Sequence, residues 1–173
     1  MDSPSQKLMT LLTLVVIFSA SSASAESKLV HKVCSKTDNY PRCIAALHLD
    51  PRAAKATTLR SLGIIALQIA SKNTAGSRKA VDRMLADPQT SSSWKPVLKT
   101  CKANIDNAAR QFSTASRDLV EDAMSANYDV MMAWDEIDAC LKFMRSSKQN
   151  IPPLVTICTR ANFFVSIGLV VTD

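Results

Sequence analysis

An all-α fold, an up-down-up-down four-helix bundle with an N-terminal α-hairpin extension and two disulfides, is what this sequence predicts, on three observations. The chain has 173 residues but only three glycines, Gly63, Gly76 and Gly168, too few for the tight turns of a sandwich or barrel. Apart from Pro4, its prolines stand at 41, 51, 88, 96, 152 and 153, and the stretches between them repeat apolar residues at three- and four-residue steps. At 47% hydrophobic and 21% charged, the chain has ample apolar matter for a core and is not a disordered tail.

Residues 1–25 read as a signal peptide. Lys7 precedes an apolar run from Leu8 to Ala20, and Ala23-Ser24-Ala25 offers the small-x-small pattern of a signal peptidase, with cleavage after Ala25. The run is too short to span a bilayer, which takes about 20 apolar residues, and no second run of spanning length is expected. Residues 26–173 then form one secreted domain, with no membrane partner.

The hairpin is expected between Ser27 and Leu49. The next helix runs from Thr57 to Leu85 on the stripe Leu59, Leu62, Ala66, Ile69, Ala80 and Met84; Gly63 and Gly76 weaken it without ending it. Asp87 to Ser93 is a loop. Val97 to Ile151 contains neither glycine nor proline, and as one straight helix it would extend about 80 Å, more than a domain of this size can bury. The segment must fold back. The last helix, Pro152 to Val171, is apolar around much of its circumference and is expected to be the most buried.

An exported chain lets cysteines pair. Cys34, Cys43, Cys101, Cys140 and Cys158 include no C-x-x-C spacing, and only His31 and His48 add imidazoles, so a zinc site is not expected. Two cysteines bridging antiparallel helices must lie equally far from the turn between them. The midpoint of Cys101 and Cys140 falls between Val120 and Glu121, beside Asp122, which can cap the following helix. The midpoint of Cys34 and Cys43 falls inside Thr37-Asp38-Asn39-Tyr40-Pro41, a turn with proline placed to begin a helix. Both midpoints land on plausible turns. The pairs are therefore Cys34 with Cys43 and Cys101 with Cys140, leaving Cys158 as a buried, inert hydrophobe.

These residues resemble the plant invertase and pectin methylesterase inhibitors. The matching pieces are Cys34-Ser35-Lys36-Thr37 leading through Tyr40-Pro41 to Cys43 and Leu47, then Asp50-Pro51-Arg52, the spacing from Cys101 to Cys140, and Asp122-Ala123-Met124-Ser125-Ala126-Asn127. The resemblance covers essentially all of residues 26–173. It implies secreted four-helix bundles with an N-terminal helical hairpin, the same two disulfides with a fifth cysteine free, no catalytic machinery, and inhibition of a carbohydrate-active enzyme by covering its substrate cleft. Some invertase inhibitors of this family carry Pro-Lys-Phe at the turn before the third bundle helix, where this chain has Ala123-Met124-Ser125. A tyrosine common four residues after the third cysteine is Ile105 here.

The expected function is inhibition of pectin methylesterase by reversible complex formation in the plant cell wall. Inhibition of a wall or vacuolar invertase is the alternative. A secreted helical lipid-binding protein is the rival of another class, although the eight-cysteine pattern of plant lipid-transfer proteins is missing. Candidate contact residues are Glu121, Asp122, Ala123 and Met124, a position where a cap and turn are needed in any case. Met124, Met131, Met132, Met144 and Trp134 read as core. His31 and His48 read as ordinary surface or boundary residues, and no cofactor, metal or catalytic group is expected. The net charge of +6 suits an acidic wall polymer such as demethylated pectin, held at low ionic strength and released by salt, better than nucleic acid.

Overall fold

The computed structural model describes residues 27–173. The expected signal peptide, residues 1–25, lies outside the described residues. Seven helices follow: α1 Lys28–Cys34, α2 Tyr40–Leu47, α3 Pro51–Ala54, α4 Leu59–Ala86, α5 Trp94–Asp118, α6 Ala123–Ser146 and α7 Pro152–Thr172. Among the described residues there is no strand.

The long helices α4 to α7 form a ring in which each packs on its neighbours in sequence and α7 closes back onto α4. Their core seams follow the expected periodicity: Leu62, Ala66 and Ile69 from α4 are buried, as are Val97, Cys101, Ile105, Ala108 and Phe112 from α5. In α6 the buried seam is Ala126, Val130, Ala133, Ile137, Cys140 and Met144. Small residues there let α7 approach closely. Gly168 completes that approach, since a Cβ at this position would lie 2.9 Å from Val130 Cγ1 and 3.4 Å from Leu67 Cδ2.

Each turn has its own chemistry. Thr58 caps α4 in a box in which the Ser61 amide donates to Thr58 Oγ1 while the Thr58 amide donates to Ser61 Oγ. The segment from Val97 to Ile151 folds back over residues 119–122, as the cysteine midpoint requires, with the Asp122 amide donating to the Asp118 carbonyl at 2.8 Å. Helix α5 begins at Trp94, earlier than expected, and its first turn accommodates Pro96. Helix α6 ends in a Schellman arrangement in which the Lys148 amide donates to Arg145 and the Gln149 amide to Met144. Lys148 adopts φ 53° there, a left-handed position more often filled by glycine.

Cys34 is bonded to Cys43 with Cα atoms 5.4 Å apart, and Cys101 to Cys140 at 4.7 Å. The first staple closes the hairpin α1–α2; the second ties α5 to α6 in the bundle centre. Free Cys158 is buried with its Sγ 3.5 Å from that of Cys140, and burial pushes its thiol up to about 11. The hairpin docks on α7 through the Arg42 guanidinium, 4.3 Å from the centre of the Phe163 ring.

Two expectations need correction. A further short helix, α3, follows the hairpin because the Asp50 carboxylate accepts from the Arg52 amide and Pro51 supplies the first turn. Helix α7 is also long and apolar enough to cross a membrane, contrary to the reading that no second run reaches that length. It carries Arg160 and buries Leu154, Ile157, Phe164 and Val165 within the bundle, so its apolarity belongs to a core helix.

Candidate functional site

The α5–α6 turn brings the four predicted contact residues together on one exposed end of the bundle: Glu121, Asp122, Ala123 and Met124 are all solvent-facing. Asp122 is committed to capping. Its carboxylate accepts from the Met124 amide at 2.9 Å and from the Ser125 hydroxyl at 2.6 Å. The Ser125 hydroxyl first, then the backbone amides of Met124 and Ser125, hold this carboxyl below its ordinary range. The turn is anchored on both sides. Arg60 donates to the Val120 carbonyl at 3.1 Å from the start of α4, and Leu119 is buried beneath it.

Beyond the turn the core reading of the methionines and tryptophan fails for three of them. Met124 is 81% exposed, Met131 51% and Trp134 46%, joined by Tyr128 at 63%. Met144 alone is fully core, and Met132 is half-buried. The reason lies in helix geometry: Met124, Tyr128 and Met131 recur at four- and three-residue steps, offset by two from the buried seam Ala126, Val130 and Ala133. Helix α6 thus carries two apolar stripes, and the ring of helices buries one. Trp134 and Met131 meet Val165 and Leu169 of α7 around a shallow apolar hollow of about 200 Å³.

The two ends of α6 differ sharply. Toward its C-terminus the outer face is charged, with Asp138 pairing with Lys142 at 2.7 Å and Arg145 at 3.8 Å. Toward its N-terminus the outer face is aromatic and thioether, the composition of protein interfaces rather than of solvated helix. The helix is held in register on α5 by Glu136, which accepts from Asn104 at 2.7 Å and Asn107 at 3.0 Å. At its other flank Asn127 donates to Thr172 of α7 at 2.9 Å.

Sequence reasoning missed Tyr128 and the outward role of Trp134. The available signal was the duplicated stripe, because an amphipathic helix needs one. His31 is exposed, as expected, yet it is not idle: its Nδ1 lies 2.9 Å from the Tyr40 hydroxyl, with the rings edge to face, which braces the hairpin. Among the described residues no cluster of His, Cys, Asp or Glu is arranged to hold a metal ion.

Residues 28–158 match the family of plant invertase/pectin methylesterase inhibitors. The chain belongs to that family. It is 30% identical over 142 residues to a pectinesterase inhibitor of Actinidia deliciosa, covering 79% of this chain and 76% of that protein. It is 28% identical over 146 residues to the cell wall/vacuolar inhibitor of fructosidase 2 of Arabidopsis thaliana, covering 82% and 81% respectively. A solved pectin methylesterase inhibitor from Arabidopsis thaliana superposes with a TM-score of 0.59 at 20% identity, over 83% of this chain and 93% of that one, a likeness of fold. The family and these relatives are named as inhibitors and not as enzymes, and this family member is an inhibitor of pectin methylesterase or invertase acting on a protein partner.

Proposed function

We propose that this inhibitor acts on pectin methylesterase, in the cell wall after export, and docks with the apolar face of α6 and α7 together with the α5–α6 turn. Identity barely discriminates between the two target classes, at 30% for a pectinesterase inhibitor and 28% for a fructosidase inhibitor. The turn carries the reading. Where some invertase inhibitors of the family place Pro-Lys-Phe, this chain places Ala123-Met124-Ser125, and among the described residues Met124 is the most exposed large apolar side chain.

Met124, Tyr128, Met131 and Trp134 lie along about 15 Å of one helix face at 1.5 Å per residue. A rigid, pre-ordered rod loses little entropy on docking, and its aromatic and thioether anchors gain contact once water leaves the interface. Inhibition then needs no chemistry on the inhibitor's side. The bundle excludes polymer from the enzyme's cleft.

The test is a titration of the protein against pectin methylesterase and against acid invertase. Near-stoichiometric loss of esterase activity with invertase untouched is the expected result; the reverse pattern overturns the target. Trp134→Ala is expected to weaken inhibition about 30-fold or more, the effect of losing a central aromatic anchor worth about 2 kcal/mol, with thermal stability unchanged. Undiminished inhibition by that variant moves the contact face elsewhere.

A further inference from the structure

On the side of α7 away from the apolar face, α4 and α7 diverge around an open groove of about 770 Å³. Gln68, Lys72, Gly76, Ala80 and Arg83 recur at three- and four-residue steps and line one wall for about 22 Å. Thr156 and Arg160 of α7 face them, Ile69 and Ile157 lie beneath, and Asp50 and Arg52 stand at the α3 end.

Charge is managed differently on the two sides of α4. Toward α5, Arg78 pairs with Asp82 at 3.7 Å and Asp106 at 3.5 Å, and Lys102 pairs with Asp82. In the groove, Arg52 is taken up by Asp50 at 2.6 Å and by Gln68 at 2.9 Å. That hydrogen bonding from Arg52, with a lesser pull from Lys72, lowers the Asp50 carboxyl to about 2. The groove's one carboxylate is thereby neutralised within it. Lys72, Arg83 and Arg160 form no ion pair among the described residues, so three cations beyond the Asp50–Arg52 pair converge on a concave surface.

A cleft lined by one sign of charge concentrates ions of the other sign. Its length suits an extended chain rather than a single small anion. Gln68, Asn73, Ser77 and Thr156 add donors and acceptors of the kind sugar hydroxyls use, above an apolar floor. Gly76 keeps the middle open, because a Cβ placed there meets nothing within 4 Å. We infer that this groove is a second binding site, separate from the enzyme-contact face, that takes a carboxylated polysaccharide.

The choice of polymer rests on pectin methylesterase being the target, since hydrolysis of a methyl ester leaves a carboxylate on the polymer. De-esterified pectin would hold the inhibitor where the esterase has worked, leaving the face of α6 and α7 free for the enzyme.

The experiment titrates the protein with polygalacturonate and with fully methyl-esterified pectin, at low and high ionic strength. Polygalacturonate is expected to bind at low salt and dissociate at high salt, and the methyl-esterified polymer not to bind. The triple variant Lys72→Ser, Arg83→Ser, Arg160→Ser is expected to lose at least tenfold in affinity. Lys32→Ser, Lys95→Ser, Lys99→Ser removes the same charge from elsewhere and is expected to change affinity by no more than about twofold. Gly76→Leu, which fills the groove at constant net charge in a helix that tolerates leucine, is expected to weaken binding as well. Equal losses in the two triple variants, wild-type binding by Gly76→Leu, or equally tight binding of poly-glutamate each overturn the site. All variants should inhibit the esterase as the parent does. Polygalacturonate binding without esterase inhibition refutes the target and leaves the groove standing, whereas inhibition with groove variants binding normally does the opposite.

Discussion

Helix α7 is the shared wall of two faces built on opposite physics. On one side Val165 and Leu169 join Met131 and Trp134 of α6 in an apolar hollow without a charge in its lining. On the other, Arg160 faces Lys72 and Arg83 of α4 across a groove with three cations beyond the Asp50–Arg52 pair. The first would stabilise a complex by removing water, a force that salt leaves largely intact; the second would attract through a field that salt screens within about 10 Å. On the proposed reading, one bundle would hold a folded partner and a charged polymer at once, and separate perturbations should reach one face without the other.

The covalent staples give the largest such perturbation. Cys101–Cys140 fixes α5 to α6, the helix bearing the apolar face, while the groove lies on α4 and α7. On a chain-entropy estimate, opening this loop with Cys101→Ser and Cys140→Ser costs about 4 kcal/mol, against about 3 kcal/mol for the shorter hairpin loop closed by Cys34–Cys43. Denaturant unfolding should rank the two double variants in that order. At temperatures where both remain folded, the bundle-staple variant should lose esterase inhibition sooner than polygalacturonate binding. Parallel loss of both activities would show that the faces are not mechanically separable.

Much of this architecture was legible in the chain, and the part that was not has a common cause. The cysteine midpoints located both turns, because equal distances from a turn are a property of any bridged antiparallel pair; α5 ends at Asp118 and α6 begins at Ala123. Asp122 was readable as a cap because capping is a local bond. Trp134 and Met131 were read as core because a periodic apolar residue looks the same whichever stripe it belongs to, and only packing decides that Ala126 and Val130 face inward instead. The groove was illegible for a stronger reason: its cations come from positions 72, 83 and 160, and neither their convergence nor the pairing of Arg78 and Lys102 on the other side of α4 is a property of any one segment. The net charge of +6 made an anionic partner an expectation without giving it a place on the surface.

A smaller effect should come from the wall itself. Gly168 sits where α7 touches both neighbours, with Val130 of α6 and Leu67 of α4 close to its missing side chain. Valine is β-branched and stiff at χ1, so Val130 cannot swing its methyls aside at no cost. Gly168→Ala should therefore destabilise by about 1–3 kcal/mol, despite alanine's better helix propensity. Because the shift moves α7 against both helices, inhibition and polymer binding should weaken together. A stabilised variant in thermal unfolding would show that the contact relaxes freely and that α7 is not a rigid wall.

The smallest expected effect distinguishes the faces by pH. Asp129 lies on α6 beside the apolar stripe, with one carboxylate oxygen buried without a hydrogen-bond partner. Burial first, then the nearby Asp118 carboxylate, raise its pKa above the ordinary 3.8, opposed by Arg117. A raised folded pKa means that the folded protein binds this proton more tightly than the unfolded chain does. Its contribution to stability is fully present below the unfolded value and is lost as pH rises through the folded one. Asn in its place keeps the shape and abolishes the titration. Asp129→Asn should therefore gain thermal stability over the parent at neutral pH, with the gap closing as the pH falls to 4 and below. Groove binding has no part in that equilibrium, so polygalacturonate affinity should be the same for the two proteins at neutral pH. A stability gap that stays constant across this pH range would mean that Asp129 binds its proton equally in the folded and unfolded chains, and that its burial does not raise its pKa.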